Sequence, residues 1–320
     1  MNPIRTAIQN LKPTLKYNSL SLYLRNLKLI YQHLNSTDTV PENISFLDDH
    51  NAVMSYINTM KETTKKNYLT SIIVALQSYK NKPLFDIYKV HLDKVVADYN
   101  IRLDSQQKSI KEDKNWTTLS NLRGVMAEYH QQLDDKGILT LGENKELSNK
   151  DFSLLQKWVV AMLYLGSHDN PPLRNDYAEM HVISKKIFKT LPISKQNQVN
   201  FLIVTGKNKK EFRINHYKTK DTYGQLIIPV SPRINKMLNI WLHYNTTPYL
   251  LLNSKKDFLS KNGLTKLINK VFEPTGKLIG ASMIRHIFIS DVFPADKEKR
   301  ERLAMLMGHS VSTQQDYSKK

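Results

Sequence analysis

Between Asn200 and Val230 the hydrophobic rhythm of this chain changes from a 3.6-residue to a two-residue spacing, and helical periodicity resumes on both sides. The segments FLIVT, EFRINHYKT and QLIIPV have strand-like lengths and composition, with Gly206-Lys207-Asn208 and Asp221-Thr222-Tyr223-Gly224 as turn residues between them. Two hairpins in series predict a three-stranded antiparallel sheet. Because the rest of the chain reads as helices, the expected fold class is mainly α with one small sheet, an α+β protein.

Upstream of the sheet, Leu20, Leu24, Leu27, Tyr31 and Leu34 recur at spacings of three and four, the stripe of an amphipathic helix. Pro41 and the segment FLDDHN mark a break and a helix start, followed by a second stripe of Val53, Ile57 and Met60. A third helix opens at Thr63-Thr64 with Tyr68, Ile72, Leu76 and Tyr79 inward, and a shorter one over about 85–99 completes a helical domain expected to span 1–103. The run RLDSQQKSIKEDKN is polar with few apolar anchors, so 104–115 reads as an interdomain linker. The remainder, 116–320, begins with a helix over 116–133 and a polar loop through Gly142. A strongly amphipathic helix carrying Phe152, Leu155, Trp158, Val159, Met162 and Leu163 follows. Pro171-Pro172 ends that helical run and predicts a new helix with Arg174 in its first turn, a position suited to gripping phosphate. Beyond the sheet, helices are expected over 234–244 and 264–272 and around Arg285, with Pro294 and DKEKRER opening another.

Charge narrows the partner. With 47 Lys+Arg against 29 Asp+Glu the net charge is +18 and the isoelectric point is near 9.7, a field that favours a polyanion. Charge alone does not separate DNA from RNA or an anionic membrane surface. Through Lys108 there are 14 basic and 9 acidic residues, which leaves 33 against 20 for the remainder. Lys65 and Lys66, near the start of the third helix, and Lys266, in a cluster with lysines 255, 256, 261 and 270, are candidates for backbone contacts to nucleic acid. The absence of cysteine excludes disulfides, thiol catalysis and Cys-ligated zinc, and the ten histidines are scattered without a metal-site spacing, so no metal or other cofactor is expected. No apolar run reaches the length of a membrane span, and MNPIRTAIQN lacks a signal-peptide core. A soluble, reducing compartment where nucleic acid resides, nucleus or cytoplasm, is the expected location.

The last forty residues bear the chemistry. Arg285 lies among Met283, Ile284, Ile287 and Phe288, where a guanidinium needs an anionic partner or a route to solvent. The apolar segment ERLAMLMGHS stops at Gly308, as a helix C-terminus does, placing His309 just beyond it, and Tyr317 follows eight positions later. This ordered set, SMIRHIF, LMGH and DY, resembles the C-terminal signature of tyrosine recombinases, the phage-integrase class, which reads roughly HxxRHxF, LGH and Tyr. Ser282 stands where that family most often has histidine. The segment PPLRNDY around Arg174 resembles the form found in integrase-like proteins of large DNA viruses and eukaryotic mobile elements. Tyr177 occupies the usual acidic position, and Asp176 and Glu179 are both open as its replacement.

The resemblance implies a helical core-binding domain that clamps duplex DNA, followed by a tyrosine-recombinase catalytic domain. It implies a catalytic set of Arg174, Lys218, Ser282, Arg285, His309 and Tyr317, with Lys220 as the alternative to Lys218 in HYKTKDTYG. It also implies a homotetramer on two double-stranded DNA segments, which exchanges strands through a 3′-phosphotyrosine link. Two other functions share these motifs: a type IB topoisomerase-like nicking and closing enzyme, and a catalytically decayed DNA-binding protein.

Overall fold

The computed structural model describes residues 2–140, 146–167, 169–292 and 297–319; the expected loop at Gly142 and break at Pro294 lie outside them. The chain forms two compact units, Met1–Ser105 and Gln106–Lys320.

The first unit is helical: α1 (Pro3–Leu11), α2 (Tyr17–Asn35), α3 (His50–Asn58), α4 (Glu62–Ser78) and α5 (Lys82–Asp104). Its starts are written in polar side chains, with Asn2, Asp49 and Asn81 accepting from the backbone N–H of Arg5, Ala52 and Leu84. The leucine stripe of α2 turns Leu20 and Leu27 inward with Ile30, against Ile72, Ala75 and Leu76 of α4. One polar pair crosses this core: Asn26 Nδ2 donates to Ser71 Oγ at 3.0 Å. Helix α5 outruns the expected 85–99 at both ends, because Pro83 pre-sets its first turn and Arg102 forms an ion pair with Glu62 of α4.

In the second unit, the stretch expected as linker contains a short helix, α6 (Ile110–Asn115), closed by a reciprocal capping box between Ser109 and Glu112. Helices α7 (Leu119–Asp135) and α8 (Asn149–Leu165) follow, and α8 is buried without interruption from Trp158 to Leu165. The sheet has four strands, β1 (His181–Ser184), β2 (Phe201–Gly206), β3 (Lys209–Ile214) and β4 (Leu226–Pro229), in the order β1-β2-β3-β4. The pairs β2–β3 and β3–β4 are antiparallel as expected from the two hairpins, but β1 adds a fourth strand parallel to β2, correcting the three-stranded expectation. Four residues are too few to show an alternation, and the register of β1 is set from outside: His181 N bonds Asn200 O, and Val182 N bonds Pro248 O. Strand β3 ends at Ile214 rather than running to Thr219. The fully buried Asn215 leaves the ladder to donate to Gln196 O and Val199 O, while its own N–H and that of His216 bond Asn200 Oδ1.

Short helices α9 (Lys185–Thr190) and α10 (Ile193–Gln196) join β1 to β2, and α11 (Lys220–Tyr223) lies between β3 and β4. Then come α12 (Pro232–Tyr244), α13 (Lys261–Val271), α14 (Ala281–Val292), α15 (Lys297–Leu306) and α16 (Val311–Tyr317). Helices α12 and α13 pack on α8, with Phe152 and Trp241 5.1 Å apart at their ring centroids. No described helix is long and apolar enough to cross a membrane.

Candidate active site

Four of the expected residues meet where the turn after α8, helix α14 and the chain end come together. Arg174 does not open an α-helix. It caps a single 3₁₀ turn over Asn175–Tyr177, after which Ala178 is extended and the chain enters β1. The turn cannot propagate because its side chains are committed. Asn175 Nδ2 donates to Thr265 Oγ1 at 2.8 Å and Lys261 O at 3.2 Å, and Tyr177 is buried in edge contact with Tyr164 and Phe212. Tyr164 Oη in turn donates to Arg174 O at 2.8 Å, holding the half-buried arginine against the end of α8.

Arg285 is fully buried on α14, and its Nη1 donates to Pro172 O at 2.9 Å. Among the described residues no well-aligned hydrogen bond reaches its buried Nε or Nη2, and the group nearest to serve them is the Tyr317 phenol. Each interior N–H left without a good acceptor costs about 1–3 kcal/mol, which favours an acceptor that arrives.

Helix α15 ends in a Schellman motif: Gly308 N bonds Met305 O at 3.0 Å, His309 N bonds Ala304 O at 3.1 Å, and Gly308 has φ +66°. A β-carbon at Gly308 would lie 2.9 Å from the Tyr217 ring, so both the backbone angle and the packing require glycine. The motif aims His309 inward to 3% exposure. There His309 Nδ1 lies 3.1 Å from Ser310 O, and because a carbonyl only accepts, the proton belongs on Nδ1 and leaves Nε2 unpartnered. Ser310 then caps α16, whose last residue is Tyr317.

The Tyr317 ring sits 4.8 Å from the Arg285 guanidinium carbon and 5.4 Å from the His309 ring. Burial alone would raise its phenol, but the charges of Arg285 and then Arg174 outweigh burial and hold it below the usual tyrosine value. Burial and the same two charges push His309 down to about 3, so its imidazole is neutral in the free protein. Asp176, buried beside the 3₁₀ turn, is pushed up by burial against the opposing pull of Arg174, Lys261 and Arg285. Asp176 is thus close enough to both arginines to feel their charge, whereas Glu179 lies on a left-handed backbone turn with φ +56°.

The other expected residues stand outside this cluster. Ser282 is exposed on the first turn of α14, and among the described residues nothing hydrogen-bonds it. Lys218 is exposed on the turn after β3, although its neighbour Thr219 donates to Gly308 O at 2.5 Å and so ties that turn to the Gly308-His309 corner. Lys220 donates to Asn197 O at 3.2 Å, and Lys266 is exposed on α13. In the first unit, Lys65 and Lys66 are half-buried rather than on an open face. Lys65 Nζ donates to Asn58 Oδ1 at 2.9 Å, and Lys66 Nζ lies 4.3 Å from the Tyr99 ring centroid. The sheet also holds a buried lysine, Lys210, but its ammonium is spent on Lys207 O, Asn235 Oδ1 and Asn239 Oδ1.

Sequence reasoning passed over His286, next to Arg285. Its Nδ1 lies 3.1 Å from Tyr317 O and its ring centroid 4.7 Å from that of Tyr317. Its place in SMIRHIF beside the arginine was the available signal. Comparison with protein-family models finds no match, and a search of the curated proteins finds none either.

Proposed function

We propose that this protein is a tyrosine-type DNA strand transferase, a site-specific recombinase or integrase that cleaves and rejoins duplex DNA through Tyr317. The observation that carries the reading is the convergence of two guanidiniums and a buried imidazole on one phenol, with no well-aligned hydrogen bond to Arg285 Nε or Nη2 among the described residues. A phosphodiester builds negative charge on its non-bridging oxygens as it is attacked, and N–H groups fixed before the substrate arrives stabilise that charge without reorganising. Arg174 and Arg285 form the clamp. The phosphate's charge offsets theirs, so His309 takes up a proton and donates through Nε2 to an oxygen.

Tyr317 Oη gives up its proton to water and attacks phosphorus in line. The P–O5′ bond breaks, and the DNA 3′ end remains as a phosphotyrosine ester that conserves the bond for rejoining. The departing 5′-oxygen takes a proton from Lys218, the neighbour of Thr219, whose hydroxyl donates to Gly308 O beside His309. Rejoining is the reverse, with the 5′-hydroxyl attacking the ester. Ser282, exposed on α14, supplies at most a hydrogen bond to DNA. The resemblance of SMIRHIF, LMGH and DY to the recombinase signature supports the same chemistry, and by that likeness four copies assemble on two duplexes.

The test is a duplex nicked close to the cleavage point, so that the released strand diffuses away and the intermediate accumulates. A covalent protein–DNA adduct that disappears in Tyr317→Phe is expected. Failure to form an adduct with any duplex, despite tight binding, would leave a DNA-binding protein without strand transfer.

A further inference from the structure

We propose that His286 is a positioning residue for Tyr317: its imidazole fixes the backbone carbonyl of the tyrosine so that the phenol faces the arginines. This rests on Tyr317 being the nucleophile. Helix α16 has only seven residues, too short to hold its own shape and direction without neighbours. Its C-terminal end is held at defined points. Tyr317 O lies 3.1 Å from His286 Nδ1, which must carry the proton because a carbonyl only accepts. Lys319 N donates to Ser290 Oγ at 2.8 Å, and Gln106 Nε2 to Gln315 O at 3.5 Å.

The tautomer that serves Tyr317 turns His286 Nε2 toward Glu112 Oε1, 3.6 Å away. Glu112 does not depend on the histidine for its place. Its Oε2 accepts from Ser109 N at 2.8 Å and Ser109 Oγ at 2.7 Å, the capping box of α6. With the ring's single proton on Nδ1, Nε2 meets that carboxylate with a lone pair, so the link that positions the tyrosine is the one from Nδ1–H to Tyr317 O. Burial holds the imidazole below its usual value, with Lys319 and Arg285 acting in the same direction and the Tyr317 carbonyl and Glu112 opposing them. The neutral imidazole is enough to hold Tyr317, since only Nδ1–H is needed. In-line attack tolerates little displacement: an error of about 1 Å costs on the order of 100-fold in rate.

The test uses the full-length protein, the nicked duplex and three variants. In His286→Asn the amide Nδ2–H replaces Nδ1–H, in His286→Leu no donor remains, and Glu112→Gln removes the charge facing Nε2. Expected are adduct formation slowed about 100-fold in His286→Leu and about tenfold or less in His286→Asn and Glu112→Gln, with DNA affinity unchanged in all three. In DNA-free protein, NMR of ring-labelled tyrosine should find Tyr317 titrating below 10 in the wild type and in His286→Asn. In His286→Leu it should move back to 10 or above as the phenol leaves the arginines. Wild-type rates and an unmoved titration in His286→Leu would overturn the positioning role. So would equal losses in His286→Asn and His286→Leu accompanied by equal losses of thermal stability, which mark a packing role. If the wild type forms no adduct, strand transfer fails as a reading, and the phenol titration still decides whether His286 positions Tyr317.

Discussion

Tyr317 owes its acidity to two charges that work against its burial, and the two contribute unequally, Arg285 more than Arg174. Arg174 is half-buried and its side chain can be removed without opening the core, so Arg174→Ala isolates one charge. Its loss should raise the Tyr317 phenol toward its ordinary value near 10. The alkaline rise in adduct formation should then move to higher pH, which rate measurements between pH 7 and 10 would detect. His309 gives the opposite kind of signature, in stability. Its folded-state value of about 3 lies below the ordinary histidine value of 6.5. The unfolded chain therefore binds one more proton between these limits. The contribution is present above pH 6.5 and lost as pH falls toward 3, at a slope of about 1.4 kcal/mol per pH unit. Urea denaturation of DNA-free protein between pH 4 and 6 should show a shallower slope in His309→Gln than in the wild type. Arg285 could be read from the sequence because a charge in an apolar stripe demands a partner. His286 stands beside it in the same motif, but its role could not be read, because its partner is a backbone carbonyl 31 positions away that only folding brings near.

Elements were legible where side chains alone determine them. The stripe of α2, the cap at Asp49 and the stop at Gly308 are local rules, and each acts in the structure where its residues lie. Elements determined by distant partners were not legible: β1 takes its register from Asn200 and Pro248, and the 3₁₀ turn at Arg174 is cut short by Asn175 reaching α13. Helix α6 is an intermediate case. Ser109-x-x-Glu112 is a capping-box spacing visible in the sequence, but it is set in a run so polar that the segment reads as linker. Gly308 connects this scale to the site, since its left-handed angle closes α15 and aims His309 in the same step. Gly308→Ala should cost about 2 kcal/mol for the angle alone, and more because the added carbon meets Tyr217 at 2.9 Å. Urea midpoints would measure the loss. Adduct formation should fall further than stability does, because the corner that carries His309 and receives Thr219 is displaced.

Each of the two units has its own buried cluster of apolar side chains. The charge is less evenly divided, since most of the excess of 47 basic over 29 acidic residues falls after Lys108. Those charges have two different roles. Arg285 and Lys210 are buried and act over short distances inside the protein, whereas Lys218 and Lys266 are exposed and contribute to the long-range field. Exposed charges bind DNA by releasing its condensed counterions, and contacts to about 6–10 phosphates lose roughly 10³–10⁵ in affinity between 50 and 200 mM salt. Duplex affinity measured by fluorescence anisotropy should fall steeply over that range. The rate of adduct formation at saturating DNA should change little, because the Arg285–Tyr317 pair is sheltered from the ions that screen the surface. A rate that fell in parallel with affinity would mean that the clamp works through surface charge, and a flat affinity would mean that the +18 field serves solubility rather than a polyanion.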